Sequence, residues 1–213
     1  MTTSQRGFLV TLDGPAGVGK TTTAQLVREY LEASGYRVHT TTEPSHSTLG
    51  DTARHNTETY RGYTLACLVA ADRYHHLEKE VRPKLDAGLV VVCDRYVASS
   101  YVLQRMDGVP LLFVEAINSA ADLPDLAVIL QAPPAVTAAR VVARGAHNRF
   151  HTGETTSKQE TDLYEEAAQR LAARGYPILA VDTGDASPTA VAEYLTTRIA
   201  ELLEGPQVKT ATA

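Results

Sequence analysis

The chain reads as a three-layer α/β domain, a five-stranded parallel sheet with helices on both faces. Three observations predict this. Strand-length apolar runs alternate with helix-period segments five times along 213 residues, with no internal repeat and no linker. The runs at 89–93 and 126–130 are continuously apolar, as strands buried on both faces of a parallel sheet are. The first strand passes through a glycine-rich turn straight into a helix, the opening of a βα unit.

Each element has a local reason. Residues 8–13 form the first strand. The helix over 19–33 sets Leu26, Val27, Tyr30 and Leu31 on one face and stops at Gly35. Residues 36–42 alternate and are β-branched, a second strand closed by Glu43-Pro44. The polar stretch 45–56 leaves room for one short helical turn around 49–54. A long helix is expected over 59–85, with Leu77, Val81 and Leu85 continuing one face and Pro83 shifting or kinking the last turn. Strand 89–93 delivers Asp94-Arg95-Tyr96 to its carboxyl end. Helices follow at 99–104 and 111–121, around a loop at 106–110. Then come strand 126–130, a helix over 133–144 with proline at its start, and a polar segment bearing arginine. Helix 157–174, strand 177–181 and helix 188–203 complete one domain over 1–204, and 205–213 reads as a frayed tail.

Composition narrows the partners. The chain is 44% apolar and 21% charged, ordinary for a soluble globular protein, and its net charge of −5 offers no basic field for a nucleic-acid polymer. An anionic substrate must then be held by a local cluster of Arg and Lys. The two cysteines, Cys67 and Cys93, make no C-x-x-C, which fits a reduced cytoplasmic protein better than a metal or redox pair. No apolar run reaches membrane-spanning length and no signal peptide precedes the first strand. The seven histidines are scattered without ligand spacing.

The glycine turn carries the chemistry. Gly14-Pro15-Ala16-Gly17-Val18-Gly19-Lys20-Thr21-Thr22 fills every fixed position of G-x-x-x-x-G-K-[ST] between a strand and a helix, the phosphate-binding P-loop. The predicted architecture is therefore the P-loop NTPase fold. Its glycines let backbone N–H groups turn inward on phosphate oxygens, and the helix N-terminus adds about half a positive charge. Lys20 can reach the β- and γ-phosphates of a nucleotide and the Thr21 hydroxyl can ligate Mg²⁺. Asp94, at the end of a buried strand, has two readings: an acid supporting Mg²⁺, or a cap on the next helix. Arg95, charged and directly after that strand, needs an anion, and the phosphate of an acceptor fits. Arg73 is either an ion pair on a solvated helix face or an acceptor contact. Arg140, Arg144, His147 and Arg149 mark either a lid that closes over the phosphates, at about 145–155, or a hydrophilic surface loop. P-loop, Glu43, Asp94-Arg95 and Asp182 all fall at the carboxyl edge of the sheet, where such folds bind ligands.

These residues resemble the thymidylate kinase family of nucleoside monophosphate kinases over nearly the whole chain. The resemblance rests on the P-loop, Glu43-Pro44, Ala71-Asp72-Arg73, Pro124-Asp125-Leu126 and Val142-Ala143-Arg144-Gly145. Its most specific piece is Asp94-Arg95-Tyr96-Val97-Ala98-Ser99-Ser100. It implies ATP with Mg²⁺ as donor and a nucleoside 5′-monophosphate as acceptor. Thr21 and Asp94 would hold the metal, and Glu43, Val69, Arg73, Arg95, Ser99, Ser100, Leu103 and Gln104 would face the acceptor. The P-loop lacks the arginine that some members carry, so Arg144 and Arg149 would supply catalytic charge with Lys20 and Arg95. The resemblance also implies a homodimer.

Three departures fall on the acceptor side. The family's usual acid inside the P-loop is Ala16, its stacking Phe is Val69, and the aromatic against the sugar is Leu103. A β-branched aliphatic offers packing without a π face. Phosphoryl transfer is expected to be retained while acceptor choice drifts from dTMP toward a related or modified nucleotide. Restoring the acid at 16 and the ring at 69 is expected to improve dTMP use. Two other classes are weighed against this. A kinase of an uncharged small molecule would not need Arg95. A nucleotide switch would need an N-K-x-D motif, which is missing, and a partitioning ATPase would need an early P-loop lysine where Pro15 stands.

Overall fold

The computed structural model describes residues 6–144 and 154–205. Five parallel strands form one sheet in the order β2-β3-β1-β4-β5. They are β1 (Phe8–Asp13), β2 (Val38–Thr42), β3 (Val90–Asp94), β4 (Leu126–Gln131) and β5 (Ile178–Asp182). Successive residues of β1 serve opposite layers, as the two-residue period of a strand requires. Leu9 joins Val91, Tyr101, Ile129 and Tyr164 on one face, whereas Val10 joins Val27, Leu31, Leu195 and Ile199 on the other. Helices α1 (Lys20–Ala33) and α9 (Pro188–Glu204) cover that second face. Interior strand β3 is buried throughout, and edge strand β2, with three Thr and one His in five residues, is half-buried throughout.

The chain leaves β1 for the β2 edge, returns through β3, and crosses to β4. The connections therefore diverge at the carboxyl end of β1, the usual place for a ligand crevice.

Several elements differ from their sequence expectation. The 45–56 stretch holds an eight-residue helix, α2 (Thr48–His55), because the Ser47 hydroxyl caps it by accepting the Gly50 N–H at 3.1 Å. The long helix is three pieces: α3 (Gly62–His76), a π-helical segment (Leu77–Val81) and α4 (Arg82–Asp86). The Arg82 N–H reaches back five residues to the Leu77 carbonyl, one residue before Pro83, which has no N–H to continue an α ladder. Helix α5 (Val97–Met106) is longer than expected at both ends, since an acid outside it caps its first turn. Helix α6 (Leu111–Ile117) ends early, where the Asn118 amide donates to the Val114 carbonyl at 2.8 Å. Helices α7 (Pro134–Arg144) and α8 (Glu154–Ala172) complete the set. Among the described residues no helix is long and apolar enough to cross a membrane.

Candidate active site

The glycine turn adopts the backbone its residues predict. Gly14 and Gly17 sit at φ 142° and 80°, and a Cβ on either would meet a backbone carbonyl oxygen, of Leu130 at 2.4 Å and of Thr137 at 2.6 Å. Lys20 is folded inward. Its ammonium donates to the carbonyls of Gly14 at 2.8 Å and Pro15 at 2.9 Å. Burial, with the Arg95 charge adding to it, pulls its pKa down to about 7 against the opposing pull of Asp94, Glu160 and Asp13.

Thr21 and Asp94 meet at the mouth of the loop, the hydroxyl donating to Asp94 Oδ2 at 2.5 Å. Asp94 Oδ1 is buried with no protein partner. A hydroxyl and an orphaned carboxylate oxygen side by side are a hard-oxygen donor set, which suits Mg²⁺. The capping reading of Asp94 fails, because Asp13 takes that task. Asp13 Oδ1 accepts the N–H groups of Tyr96 and Ser99, each at 2.9 Å, and the Ser99 hydroxyl at 2.6 Å.

Arg95 has φ 73°, the one positive value off glycine among the described residues. A non-glycine side chain there is strained by about 1–3 kcal/mol, and such strain gathers at functional sites. The neighbours hold it: the Arg95 N–H donates to the Leu12 carbonyl at 2.9 Å, and the next N–H is the one Asp13 binds. The guanidinium then lies over the first turn of α5, 3.5 Å from Ser99 Oγ.

Arg73 is not on a solvated face. It is 1% exposed and lies 5.3 Å from the centre of the Tyr96 ring. It donates to Glu43 Oε2 at 2.7 Å, to Ser100 Oγ at 3.0 Å and to Asn118 Oδ1. The other Glu43 oxygen lies 3.3 Å from His76 Nδ1, and His76 Nε2 lies 2.7 Å from Thr41 Oγ1. Burial opposes charge on His76, but the Glu43 contact and the Glu43, Glu80 and Asp72 charges outweigh it and raise its pKa. Beside Arg73, Asp72 accepts from the Ser45 N–H and hydroxyl, both at 2.6 Å, and from the Ser47 hydroxyl at 2.9 Å, which fixes the turn after β2. Ligand atoms of Glu43, His76 and Cys93 lie within 4.8 Å of one another. Arg73 and His76 already engage Glu43, and burial raises the Cys93 pKa so that its thiol donates to the Arg95 carbonyl at 3.1 Å. Glu43 is thus the hub of two ion pairs, with Arg73 and His76, and Cys93 stands beside it as a neutral thiol.

One cleft of about 960 Å³ begins beside the loop at Thr21, while Lys20, turned onto its own carbonyls, is not among the residues that line it. Thr21, Asp94 and Arg95 line it, as do Glu43, Val69, Arg73, Ser99, Ser100, Leu103 and Gln104. Tyr96 also lines it, and Ala53, Leu65, Val69 and Leu103 form an aliphatic wall. Ser99 and Ser100 are committed to Asp13 and Arg73, whereas Gln104 Oε1 is buried with no protein partner. A second hollow of about 260 Å³ lies behind the loop, between Gly17, Gly19, Thr22, Arg140, Thr183 and Pro188. Arg140 thus lines the hollow behind the loop. Arg149 and His147 lie outside the described residues, as does the Arg144 side chain.

Sequence reasoning missed four residues: Asp13, Asn118, Glu160 and Tyr164. Only Asp13 had a local signal, as the last residue of a strand before the glycine turn. Glu160 bonds the Ala16 N–H with both oxygens, each at 3.1 Å. A carboxylate therefore does stand at the tip of the P-loop, but on α8.

Relatives resemble most of this chain. A family model described as Thymidylate kinase matches residues 12–188. A probable thymidylate kinase of Caldivirga maquilingensis is 34% identical over 177 residues, 81% of this chain and 84% of the relative. The thymidylate kinase of Clavibacter sepedonicus is 37% identical over 190 residues, 84% and 88% of the two chains. A probable thymidylate kinase of Pyrococcus horikoshii is 39% identical over 153 residues, 68% and 75%. With a P-loop facing an arginine-lined cleft and matches of this extent, the chain belongs to the thymidylate kinase family.

Proposed function

We propose that this protein moves the γ-phosphoryl group of ATP onto a nucleoside 5′-monophosphate, with dTMP the acceptor its relatives' name suggests. The observation that carries this reading is the one cleft that Thr21 and Asp94 line together with Arg73 and Arg95. An acceptor phosphate oxygen attacks Pγ, the bond from Pγ to the β,γ-bridging oxygen breaks, and ADP leaves with those electrons. Such a transfer needs positioning and neutralisation more than covalent help.

The residues divide the work. Lys20 exchanges its two carbonyl partners for phosphate oxygens, which suits a cation held poorly where it is. Thr21 and Asp94 would hold Mg²⁺, which neutralises charge on the β- and γ-phosphates when bound. Arg95, preset by its left-handed backbone, grips the acceptor phosphate. Arg73, kept rigid by Glu43, Ser100 and Asn118, adds a second fixed charge to that end of the cleft. Leu65, Val69 and Leu103 pack the base, and Gln104 Oε1 awaits a donor on its edge. The hollow between Arg140 and Pro188 would take the donor nucleoside. Arg144 and Arg149 remain candidates for catalytic charge, and the resemblance supports a homodimer in the cytoplasm.

ADP release from ATP-Mg²⁺ across ribo-, deoxy- and modified monophosphates tests the reading. Monophosphate-dependent turnover is expected, with dTMP among the substrates. ATP turnover that ignores every monophosphate would point to a nucleotide switch. Normal acceptor affinity after Arg95→Ala would point to an uncharged acceptor.

A further inference from the structure

Helix α8 touches both the P-loop and helix α5 with side chains one turn apart. Glu160, 1% exposed, holds the Ala16 N–H of the P-loop from 144 residues away. Tyr164, also 1% exposed, places its hydroxyl 3.0 Å from Ser99 Oγ on α5. Ser99 gives its own proton to Asp13 at 2.6 Å, so Tyr164 is the donor in that contact. Residues four apart share a helix face about 6 Å apart along the axis. The same face therefore grips the loop that cradles the donor and the helix that follows Arg95. Asp13, at the end of β1, closes the circuit by capping α5.

The two contacts differ in kind: Glu160 satisfies a buried backbone N–H that no side-chain change at position 16 short of proline would remove, whereas Tyr164 and Ser99 pair two hydroxyls that could have been apolar. Two oxygens on one backbone N–H hold a loop tip in place, because the bond is charge-assisted and out of water. Lys20 and Arg95 both act on the Glu160 carboxylate. Transfer between two bound phosphates is sensitive to displacements of about 1 Å, so the spacing of loop and arginine has to be set by something rigid.

We propose that α8 registers the donor loop against the acceptor helix through Glu160 on Ala16 and Tyr164 on Ser99, which makes Glu160 a positioning residue of the transfer. This rests on the phosphoryl-transfer reading above. The two ends have different signatures. Loosening the loop end misplaces the donor after both substrates are bound, whereas loosening the α5 end weakens the acceptor grip.

Steady-state kinetics with dTMP and the Ala16 amide resonance test it together. Glu160→Ala is expected to lower kcat about 100-fold with dTMP KM within about threefold. Glu160→Gln, which keeps an oxygen for the Ala16 N–H, should recover about tenfold of that loss. Tyr164→Phe should raise dTMP KM about fivefold with kcat within about threefold. The Ala16 amide proton should move upfield in both Glu160 variants. An amide that does not move, a kcat for Glu160→Ala within about threefold of the parent, or no rescue by Gln overturns the proposal. Should Glu160→Ala fail to fold, Glu160→Gln must itself lower kcat about tenfold and shift the amide, or the proposal fails. If the parent protein turns over no monophosphate, the functional reading fails, and the amide shift alone decides whether Glu160 holds the loop.

Discussion

Lys20 finds its partners five and six residues back, in the loop that carries it. Arg73 finds its partners 27, 30 and 45 residues away, on three separate stretches of chain. Both are cations taken out of water, and the fold treats them oppositely. Lys20 has only carbonyl oxygens, and burial pulls its pKa to about 7. Arg73 has the Glu43 carboxylate, an amide oxygen, a hydroxyl and a ring face, and although burial opposes its charge, the Glu43 carboxylate beside it outweighs burial and raises its pKa. Lys20 is thus kept in want of an anion, while Arg73 is built into the core. A group of the first kind serves chemistry at a cost to stability, and one of the second kind serves both.

Replacing Lys20 breaks the comparison at its strongest point. Lys20→Ala should lower kcat by about 10³-fold, or about 4 kcal/mol in the transition state, in an ADP-release assay. It should leave the melting temperature unchanged or higher. Its stability should also respond differently to pH. The lysine's folded pKa of about 7 lies below its unfolded value of about 10.4, so between these limits the unfolded chain holds more protons. The parent's stability therefore carries a component that rises with pH across that window. Lys20→Ala should lack this component, which urea titrations at pH 6.5 and about 9 would show as a flatter profile. A variant that melts well below the parent would mean that Lys20 is structural after all.

Arg73→Ala should damage fold and function together. Removing one partner of a buried ion pair leaves Glu43 uncompensated, with an expected loss of about 3–5 kcal/mol by chemical denaturation. Replacing both, as Arg73→Met with Glu43→Gln, should recover most of that stability while acceptor binding stays lost. A single variant as stable as the parent would remove the distinction between the two cations.

The same contrast decides what can be read from sequence. The P-loop is legible because its function is written in nine consecutive residues whose backbone does the binding, and β1, β3 and β4 are legible because both their faces are buried. Asp94 and Arg95 are legible as charges that end an apolar strand. Arg73 is ambiguous, since a helix residue beside Asp72 looks the same whether the pair faces water or the core. Its burial follows from Asn118, Glu43 and Ser100 arriving from elsewhere. Glu160 is less legible still. Its neighbours Lys158, Gln159, Thr161 and Asp162 are polar, as on a solvated face, and only the packing of α8 on α5 turns it inward. The break of the 59–85 helix at its π-helical segment had a signal in Pro83, although the form of the break had none.

The smallest effects lie at the base end of the cleft, where the structure splits an expectation that treats positions 16 and 69 alike. Val69 is half-buried on an aliphatic wall, and the cleft has room for a ring. Val69→Phe should lower dTMP KM, and a stacking contact of about 1–3 kcal/mol sets the ceiling at about 5–150-fold, with the low end expected for a ring on a surface not shaped for it. Ala16 is different. It is buried, and its N–H already carries the Glu160 carboxylate. An aspartate there would set two carboxylates side by side in a poorly solvated pocket, where like charges resist joint ionisation. Ala16→Asp should therefore reduce turnover, and Val69→Phe alone should outperform the double change. Adding Glu160→Gln to Ala16→Asp should relieve the repulsion and recover part of the loss. A dTMP KM for Val69→Phe within about twofold of the parent would mean that base stacking does not limit acceptor use here, and the drift in acceptor choice would have to be sought at Leu103.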